Sequence, residues 1–295
     1  MSLPRPVVPN TTYLVTRRCL GRRYLLRPDG ALNQLFWYCL ALGAHKYGIA
    51  VHGVSVMSNH YHLILTDEQG VLPDFMGWLN SQLAKRIKRL RRWDEVVWEP
   101  NVHYSAVELR GEAEVLDKVA YTLLNPVSAA LVQRPRDWPG VLSTLKMLDT
   151  GSVQVQRPKV GFKDTVPKSL SLSLTPPPCF RNKDPYLSVL GALVGSRLKA
   201  LHAQWARQGR RVLGRKAVRK TPVTARPSTP KERFGRSPTF SALTGHMWRQ
   251  AVKRLRGFRA AYRRAYQAWR SGSPDVEFPA GTWWLARCAN VTVAA

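Results

Sequence analysis

Acidic residues are scarce in this sequence of 295 residues, which has 18 Asp and Glu against 46 Lys and Arg and a formal net charge of +28. Repulsion among so many like charges destabilises a compact chain unless a polyanion offsets it. A basic surface without a partner therefore explains the composition poorly. Nucleic acid is the polyanion that we expect. An anionic membrane surface is the less favoured alternative, because no amphipathic basic helix dominates the N-terminal region.

Cysteines and long apolar runs are also few. The cysteines lie far apart, and no pair has the spacing of metal ligands or of a disulfide framework. No apolar run reaches the ~18 residues of a membrane span, and the first residues lack the apolar stretch of a secretory signal. We therefore expect a cytoplasmic, nucleoid-associated protein with no membrane partner. The cysteines are Cys19, Cys39, Cys179 and Cys288.

The pattern of apolar residues in the first half predicts the order β-α-β-β-α-β-α. The predicted strands span residues 12–19, 49–55, 61–66 and 96–108, and the predicted helices span residues 31–47, 73–92 and 112–124. Asp29 is predicted to cap the first helix, and Asn125 with Pro126 to close the third. This order is typical of an α+β fold with a ferredoxin-like (RRM-like) antiparallel sheet and helices packed on one face.

The character of the sequence changes near residue 150. We predict a catalytic domain over residues 1–150, a linker or irregular arm over 151–183, and a basic, mainly helical extension over 184–295. Residues 201–270 hold 19 Lys and Arg and one acid, which suits binding to a nucleic-acid backbone. The rings there either stack on bases or form the packed face of a helix; they are Phe258, Tyr262, Tyr266 and Trp269.

The segment Met57-Ser58-Asn59-His60-Tyr61-His62-Leu63-Ile64-Leu65 combines a predicted strand with two histidines. Residues two apart on a strand point to the same face, so His60 and His62 present their imidazoles side by side and Tyr61 points away. Two neutral imidazoles on a rigid strand can hold a divalent metal. A chance pair of structural histidines is the alternative, but the apolar flanks make buried histidines costly unless they have a function.

A second polar cluster follows in the third predicted helix. Tyr121 and Asn125 are four residues apart and therefore share a helix face. The Asn125 amide oxygen can be a third hard ligand, with the Tyr121 hydroxyl beside the metal. The other histidines are scattered and are predicted to be structural or on the surface; they are His45, His52, His103, His202 and His246.

These residues resemble a known family. His60-Tyr61-His62 resembles the HUH motif, and Tyr121-x-x-x-Asn125-Pro126-Val127 resembles the nucleophile helix of the REP-associated tyrosine transposases. The resemblance covers roughly residues 12–144 and is specific only when both motifs and the element order are taken together. The chain departs from the family at Ser58, usually Pro, and at Ser128, usually Arg; the second difference bears on specificity rather than on chemistry.

The resemblance implies a metal-dependent DNA strand-transferase of the HUH type. Tyr121 would attack single-stranded DNA beside an imperfect hairpin and form a 5′-phosphotyrosine, with Mg²⁺ or Mn²⁺ held by His60, His62 and Asn125. Imidazole prefers softer metals than Mg²⁺, so we expect higher activity with Mn²⁺. A monomer is expected, with a dimer as the alternative.

Eight cations are candidates for contacts with DNA phosphates, although a solvated face is an alternative for the exposed ones. They are Arg17 and Arg18 at the sheet edge, and Lys85, Arg86, Lys88, Arg89, Arg91 and Arg92 at the end of a helix. Two other functions compete with strand transfer. One is a non-catalytic protein that binds DNA hairpins, and the other is a Zn²⁺ hydrolase, which lacks a clear third ligand and a carboxylate base.

Overall fold

The computed structural model describes residues 4–100, 103–159, 161–229 and 238–294. Its first part follows the predicted order β-α-β-β-α-β-α. The elements are β1 Thr11–Arg18, α1 Gly30–Tyr47, β2 Ile49–Val56, β3 His60–Asp67, α2 Leu72–Arg91, β4 Ser105–Glu108 and α3 Glu112–Ser128. The four strands form one antiparallel sheet in the order β2-β3-β1-β4, which confirms the predicted α+β class and its ferredoxin-like order.

The two faces of the sheet are covered by different helices. On β3, the side chain of Tyr61 is fully buried and meets α1 and α2: its ring packs on Phe36 at 5.3 Å, and its hydroxyl donates to Asn80 at 2.7 Å. Helix α3 lies on the opposite face, where Tyr121 meets His62. The expectation that the helices lie on one face thus holds for α1 and α2 but not for α3, because α3 covers apolar residues that alternate with the Tyr61 side.

Local signals explain most of the helix boundaries. The Asp29 carboxylate accepts a hydrogen bond from the Leu32 amide at 2.9 Å and caps α1 as predicted. Gly48 ends α1 in a left-handed conformation with φ of 60°. The predicted end of α3 was wrong, since the helix continues through Pro126 to Ser128. Pro126 and Val127 are both buried, and this packing outweighs the hydrogen bond that a proline removes.

The fourth strand is much shorter than predicted. Among its described residues, only Ser105–Glu108 pair with β1, while Trp98 makes one isolated bridge to Cys19. Pro100 lacks an N–H group and cannot donate to the sheet there. Val102, which belonged to the predicted strand, lies outside the described residues.

The C-terminal extension is mainly helical, as predicted. The chain after α3 contains α4 Leu145–Thr150, β5 Ser152–Gln156, β6 Ser169–Ser173, α5 Lys183–Arg207, α6 Arg215–Lys220, α7 Gly245–Arg270, β7 Glu277–Phe278, α8 Trp284–Cys288 and β8 Thr292–Val293. The segment 151–183, predicted as a linker or irregular arm, holds the antiparallel pair β5–β6. It packs on α1, where the Tyr38 hydroxyl donates to the Pro167 carbonyl at 2.5 Å. Among the described helices, none is both long and apolar enough to cross a membrane.

Later parts of the chain cover both outer strands of the four-stranded sheet. Residues 141–143 hydrogen-bond to β2 at 2.9 Å, and the Thr175 amide donates to the Val51 carbonyl at 3.1 Å. Residues 239–241 cover β4 through hydrogen bonds of 2.9 and 3.0 Å with Glu108. These contacts satisfy backbone groups that an open edge would expose to other chains.

Candidate active site

The two histidines of β3 lie side by side on one face of the sheet. Their ring centroids are 4.8 Å apart, and the rings are nearly perpendicular at 83°. His62 is only 5% exposed, while His60 at the end of the strand is half-buried. The alternation of the strand therefore gives the pair of imidazoles that the sequence predicted.

Each imidazole is held through its Nδ1 atom. The Thr16 hydroxyl, opposite His62 in the β1–β3 register, lies 2.8 Å from the His62 Nδ1. The Asn59 amide oxygen lies 2.7 Å from the His60 Nδ1. The His62 Nε2 is buried without a hydrogen-bond partner in the described part of the chain. The Asn59 oxygen can only accept, so His60 donates from Nδ1 and carries its lone pair on Nε2. The Thr16 hydroxyl can accept from His62 Nδ1, and in that tautomer the His62 Nε2 carries the lone pair that a ligand would meet.

Both imidazoles are held neutral. Burial, with the positive charges of Arg18 and Arg22, lowers the pKa of His60 to about 4. Burial, with His60 and Arg18 nearby, lowers the pKa of His62 well below its ordinary value. A neutral imidazole is the form that binds a metal, so neither ring has to lose a proton near neutral pH.

Helix α3 brings a phenol to the histidine pair. The ring of Tyr121 lies 5.4 Å from that of His62, and its side chain is 40% exposed. Asn125, one turn further along α3, is 7% exposed. The fold thus brings His60, His62 and Tyr121 together on one face of the sheet, with Asn125 buried on the same helix as the phenol.

The side chains at this place fit a metal ion with mixed nitrogen and oxygen ligands. Among the residues that the structure describes, the buried Nε2 of His62 has no partner. A buried polar atom left unsatisfied costs free energy, so a bound ligand would complete the site. In the described ranges, no group of three or more His, Cys, Asp or Glu side chains is close enough to hold a metal. A third protein ligand would therefore come from an amide or hydroxyl, such as Asn125, and a closed zinc site is disfavoured.

The cations predicted to contact DNA are not gathered around the imidazoles. Arg18 is exposed and pairs with His60 across β1 and β3, so it borders the site. Arg17 points to the other face, where its guanidinium lies 5.9 Å from the Trp98 ring. The remaining six belong to the end of α2, on the Tyr61 face; Lys85, Arg89 and Arg92 are exposed there, and Lys88 is half-buried.

Two of those α2 residues have structural contacts. The Arg91 side chain is only 6% exposed, and it binds the Asp29 carboxylate and the carbonyls of Leu25 and Arg27. The prediction that Arg91 contacts DNA is therefore corrected, since its charge is already neutralised inside the fold. Arg86 lies 3.7 Å from the Phe162 ring and holds residues of the 151–183 segment against α2.

Sequence reasoning missed two kinds of residue at this site. The sequence predicts only a strand at Thr16, because its place opposite His62 depends on a strand register that the sequence does not reveal. The contact of Asn59 could have been predicted, since Asn59 directly precedes His60 in the sequence. The second kind comes from α5, where Arg197 and Arg207 line a groove that also contains Tyr121.

The fold and the site define an α+β protein with a ferredoxin-like sheet, a pair of imidazoles on one face and an exposed phenol beside them. No protein-family model and no curated protein matches the chain. A solved structure of a REP-associated tyrosine transposase bound to a REP hairpin is similar at 17% identity and a TM-score of 0.41, covering 48% of this chain and 81% of that chain. A candidate transposase from Deinococcus radiodurans R1 is similar at 20% identity and a TM-score of 0.30, covering 42% of this chain and 97% of that chain. At these values neither resemblance establishes what this chain does.

Proposed function

We propose that this protein nicks and rejoins single-stranded DNA through a covalent link to Tyr121. The observation that carries the proposal is the exposed phenol of Tyr121 against the ring of His62, whose buried Nε2 has no partner among the described residues. A nucleophile beside two neutral imidazoles fits phosphoryl transfer at a metal-bound phosphate. An exposed position also gives a large polymeric substrate access to the hydroxyl.

The covalent step balances without a further reactant. The Tyr121 oxygen attacks phosphorus, the bond between phosphorus and the 3′ oxygen breaks, and the proton of the phenol goes to that leaving oxygen. The products are a 5′-phosphotyrosine and a strand with a free 3′ hydroxyl. Attack by a 3′ hydroxyl on the phosphotyrosine reverses the step and joins strands, so that no nucleoside triphosphate is consumed.

We propose that His60, His62 and Asn125 hold a Mg²⁺ or Mn²⁺ ion. Such an ion would withdraw charge from the oxygens of the scissile phosphate and so make the phosphorus easier for a phenol to attack. The protein's part is to keep the imidazoles neutral and to aim them. Thr16 and Asn59 fix the two rings through Nδ1, and Arg18 adds a positive charge beside His60.

The proposed substrate is single-stranded DNA next to a hairpin. The formal charge of +28 supports a polyanionic ligand, and the exposed cations of α2 can bind the backbone of a paired stem. A non-catalytic hairpin-binding protein derived from a transposase is the alternative that the same charge supports, and the test separates the two.

The test is a covalent-adduct assay. An oligonucleotide with an imperfect hairpin and an unpaired flank is labelled at its 3′ end, incubated with the protein and Mn²⁺, and run under denaturing conditions. We expect a protein–DNA adduct that chelator prevents and Tyr121→Phe abolishes. Tyr266→Phe, which removes a phenolic oxygen from α7 instead, should leave the adduct unchanged. The same oligonucleotide labelled at its 5′ end should yield a shorter free strand.

The other outcomes are equally clear. Binding without an adduct across a panel of hairpins would support the non-catalytic protein. Metal-dependent hydrolysis that leaves no adduct and survives Tyr121→Phe would support a hydrolase. Either result contradicts strand transfer through Tyr121.

A further inference from the structure

A groove runs between α3 and α5, directly beside the phenol of Tyr121. Its volume is about 400 Å³. One wall is the exposed side of α3 and the other is the helix that opens the basic extension. The lining residues are Tyr121, Leu124, Ser128, Arg197, Ala200, Leu201, Gln204 and Arg207. The groove therefore joins the proposed nucleophile to a part of the chain whose role the sequence left open.

Specific contacts hold α5 in this position. The Arg197 guanidinium donates to the Asp117 carboxylate at 2.6 Å and to the Asp117 carbonyl at 3.2 Å. Five residues further along the helix, the His202 Nε2 lies 2.9 Å from the Gln133 carbonyl. Because two separated contacts fix the helix, the wall of the groove is built into the fold.

The lining combines an apolar floor with a polar rim. Leu124, Ala200 and Leu201 supply the floor, while Gln204 and Arg207 follow on the same face of α5. An apolar floor suits the flat surface of a base, an amide reads a base edge, and a guanidinium binds phosphate. This set of groups fits a short stretch of unpaired nucleotides.

The two arginines of the groove differ in the charge that they can offer. Arg197 is paired with Asp117. Arg207 is exposed, and within the described ranges no carboxylate pairs with it; its contact with the Ala203 carbonyl is long, at 3.4 Å. Arg207 is therefore the cation that is available to a ligand in this groove.

We propose that the groove between α3 and α5 binds the unpaired nucleotides next to the phosphodiester that Tyr121 attacks. Arg207 binds a backbone phosphate there, and Gln204 contacts a base. The proposal rests on the proposed function for the identity of the strand, but it assigns the binding site to α5 rather than to the four-stranded sheet. It also makes the basic extension part of the substrate site.

The experiment measures binding separately from chemistry. Every variant carries Tyr121→Phe, and the binding of a short fluorescent unpaired DNA strand is followed by anisotropy in the presence of chelator over a range of salt concentrations. Arg207→Ala should weaken binding about tenfold and reduce the slope of log affinity against log salt by about 0.7, as expected for one lost phosphate contact on a single strand. Arg207→Lys should keep most of the slope.

Lys199→Ala is the matched control. Lys199 is an exposed cation of the same helix, and it does not line the groove. Its removal should change the affinity less than twofold, as expected for a cation without a phosphate contact. Equal effects of Arg207→Ala and Lys199→Ala would overturn the proposal that the groove binds DNA, because any cation on the surface would then bind DNA phosphates equally well.

The remaining outcomes distinguish this proposal from the proposed function. If Arg207→Ala shows the expected loss while the wild-type protein forms no adduct, the groove stands and strand transfer fails. If the adduct forms and Arg207→Ala binds like the wild type, strand transfer stands and the groove fails. If the parent binds no unpaired DNA, or an acidic peptide displaces the DNA at equal charge concentration, the groove is not a nucleotide site.

Discussion

Two buried histidines on the same face of the sheet differ in a single contact. His52 is 1% exposed and His62 is 5% exposed, and each has one ring nitrogen 2.8 Å from a threonine hydroxyl. The other nitrogen of His52 lies 2.8 Å from the Thr175 carbonyl. The other nitrogen of His62 has no partner in the described part of the chain.

This difference separates a structural histidine from one that can take a ligand. His52 joins β2 and β3 to residue Thr175 of the segment that follows the sheet, so both of its nitrogens serve the fold. The Nδ1 of His62 contacts Thr16 and fixes the orientation of the ring, and its Nε2 can take a ligand. Burial alone therefore does not distinguish the two histidines, whereas the number of hydrogen-bonded ring nitrogens does.

A fall in pH should have the largest effect on stability through the structural histidine, His52. Burial lowers the pKa of His52 to about 4 from its ordinary 6.5. As the pH falls, the unfolded chain therefore takes up a proton at residue 52 before the folded chain does. The contribution of neutral His52 to the free energy of unfolding is complete above pH 6.5 and is lost as the pH falls to about 4. The loss from His52 should approach about 3 kcal/mol. Urea unfolding with chelator, compared between the wild type and His52→Gln over this range, measures it. Parallel curves for the two proteins would contradict the assignment.

The two threonines provide the next comparison. Thr16→Val removes the hydroxyl that orients His62, and loss of such a contact typically weakens metal binding by about 10–100-fold. Thr66→Val instead removes a partner of His52 and should lower the free energy of unfolding by about 1–3 kcal/mol without changing metal affinity. Calorimetric titration with Mn²⁺ and urea unfolding separate these results. Equal losses of metal affinity in both variants would show that the two histidines do not have distinct roles.

Tyr61→Phe should have the smallest effect. It removes one hydrogen bond to Asn80 on the opposite face of the sheet, which costs about 1 kcal/mol of unfolding free energy. Its ring would remain packed on Phe36, and the site on the other face should bind metal as before. A change in Mn²⁺ affinity would mean that the two faces are coupled through the strand.

The parts of the site that follow from local geometry were predictable from the sequence. Strand alternation correctly placed His60 and His62 on one face and Tyr61 on the other, and the Asp29 cap was read from its position before an apolar helix. The predictions that were wrong concern features that depend on contacts between residues far apart in the sequence. The packing that carries α3 past Pro126 is an example, because a proline ends a helix unless its surroundings compensate.

The contribution of α5 to the site could not be predicted in the same way. Nothing near Arg197 in the sequence indicates that its partner is Asp117, which lies 80 residues away. The charge of the extension did suggest nucleic acid, but charge gives no position. The predicted domain boundaries near residues 150 and 184 remain predictions. Contacts of β5 and β6 with α1, and of α5 with α3, cross them.

The covered edges of the sheet also bear on how the protein is made. During synthesis, β4 leaves the ribosome more than a hundred residues before its neighbour at 239–241. At ordinary elongation rates that interval is on the order of ten seconds. For that time the nascent chain has the histidine pair on β3 and the phenol on α3, while nothing yet covers the outer edge of β4. An uncovered outer strand can pair with a strand of another chain, so neighbouring nascent chains on one polysome can join edge to edge until residues 239–241 arrive.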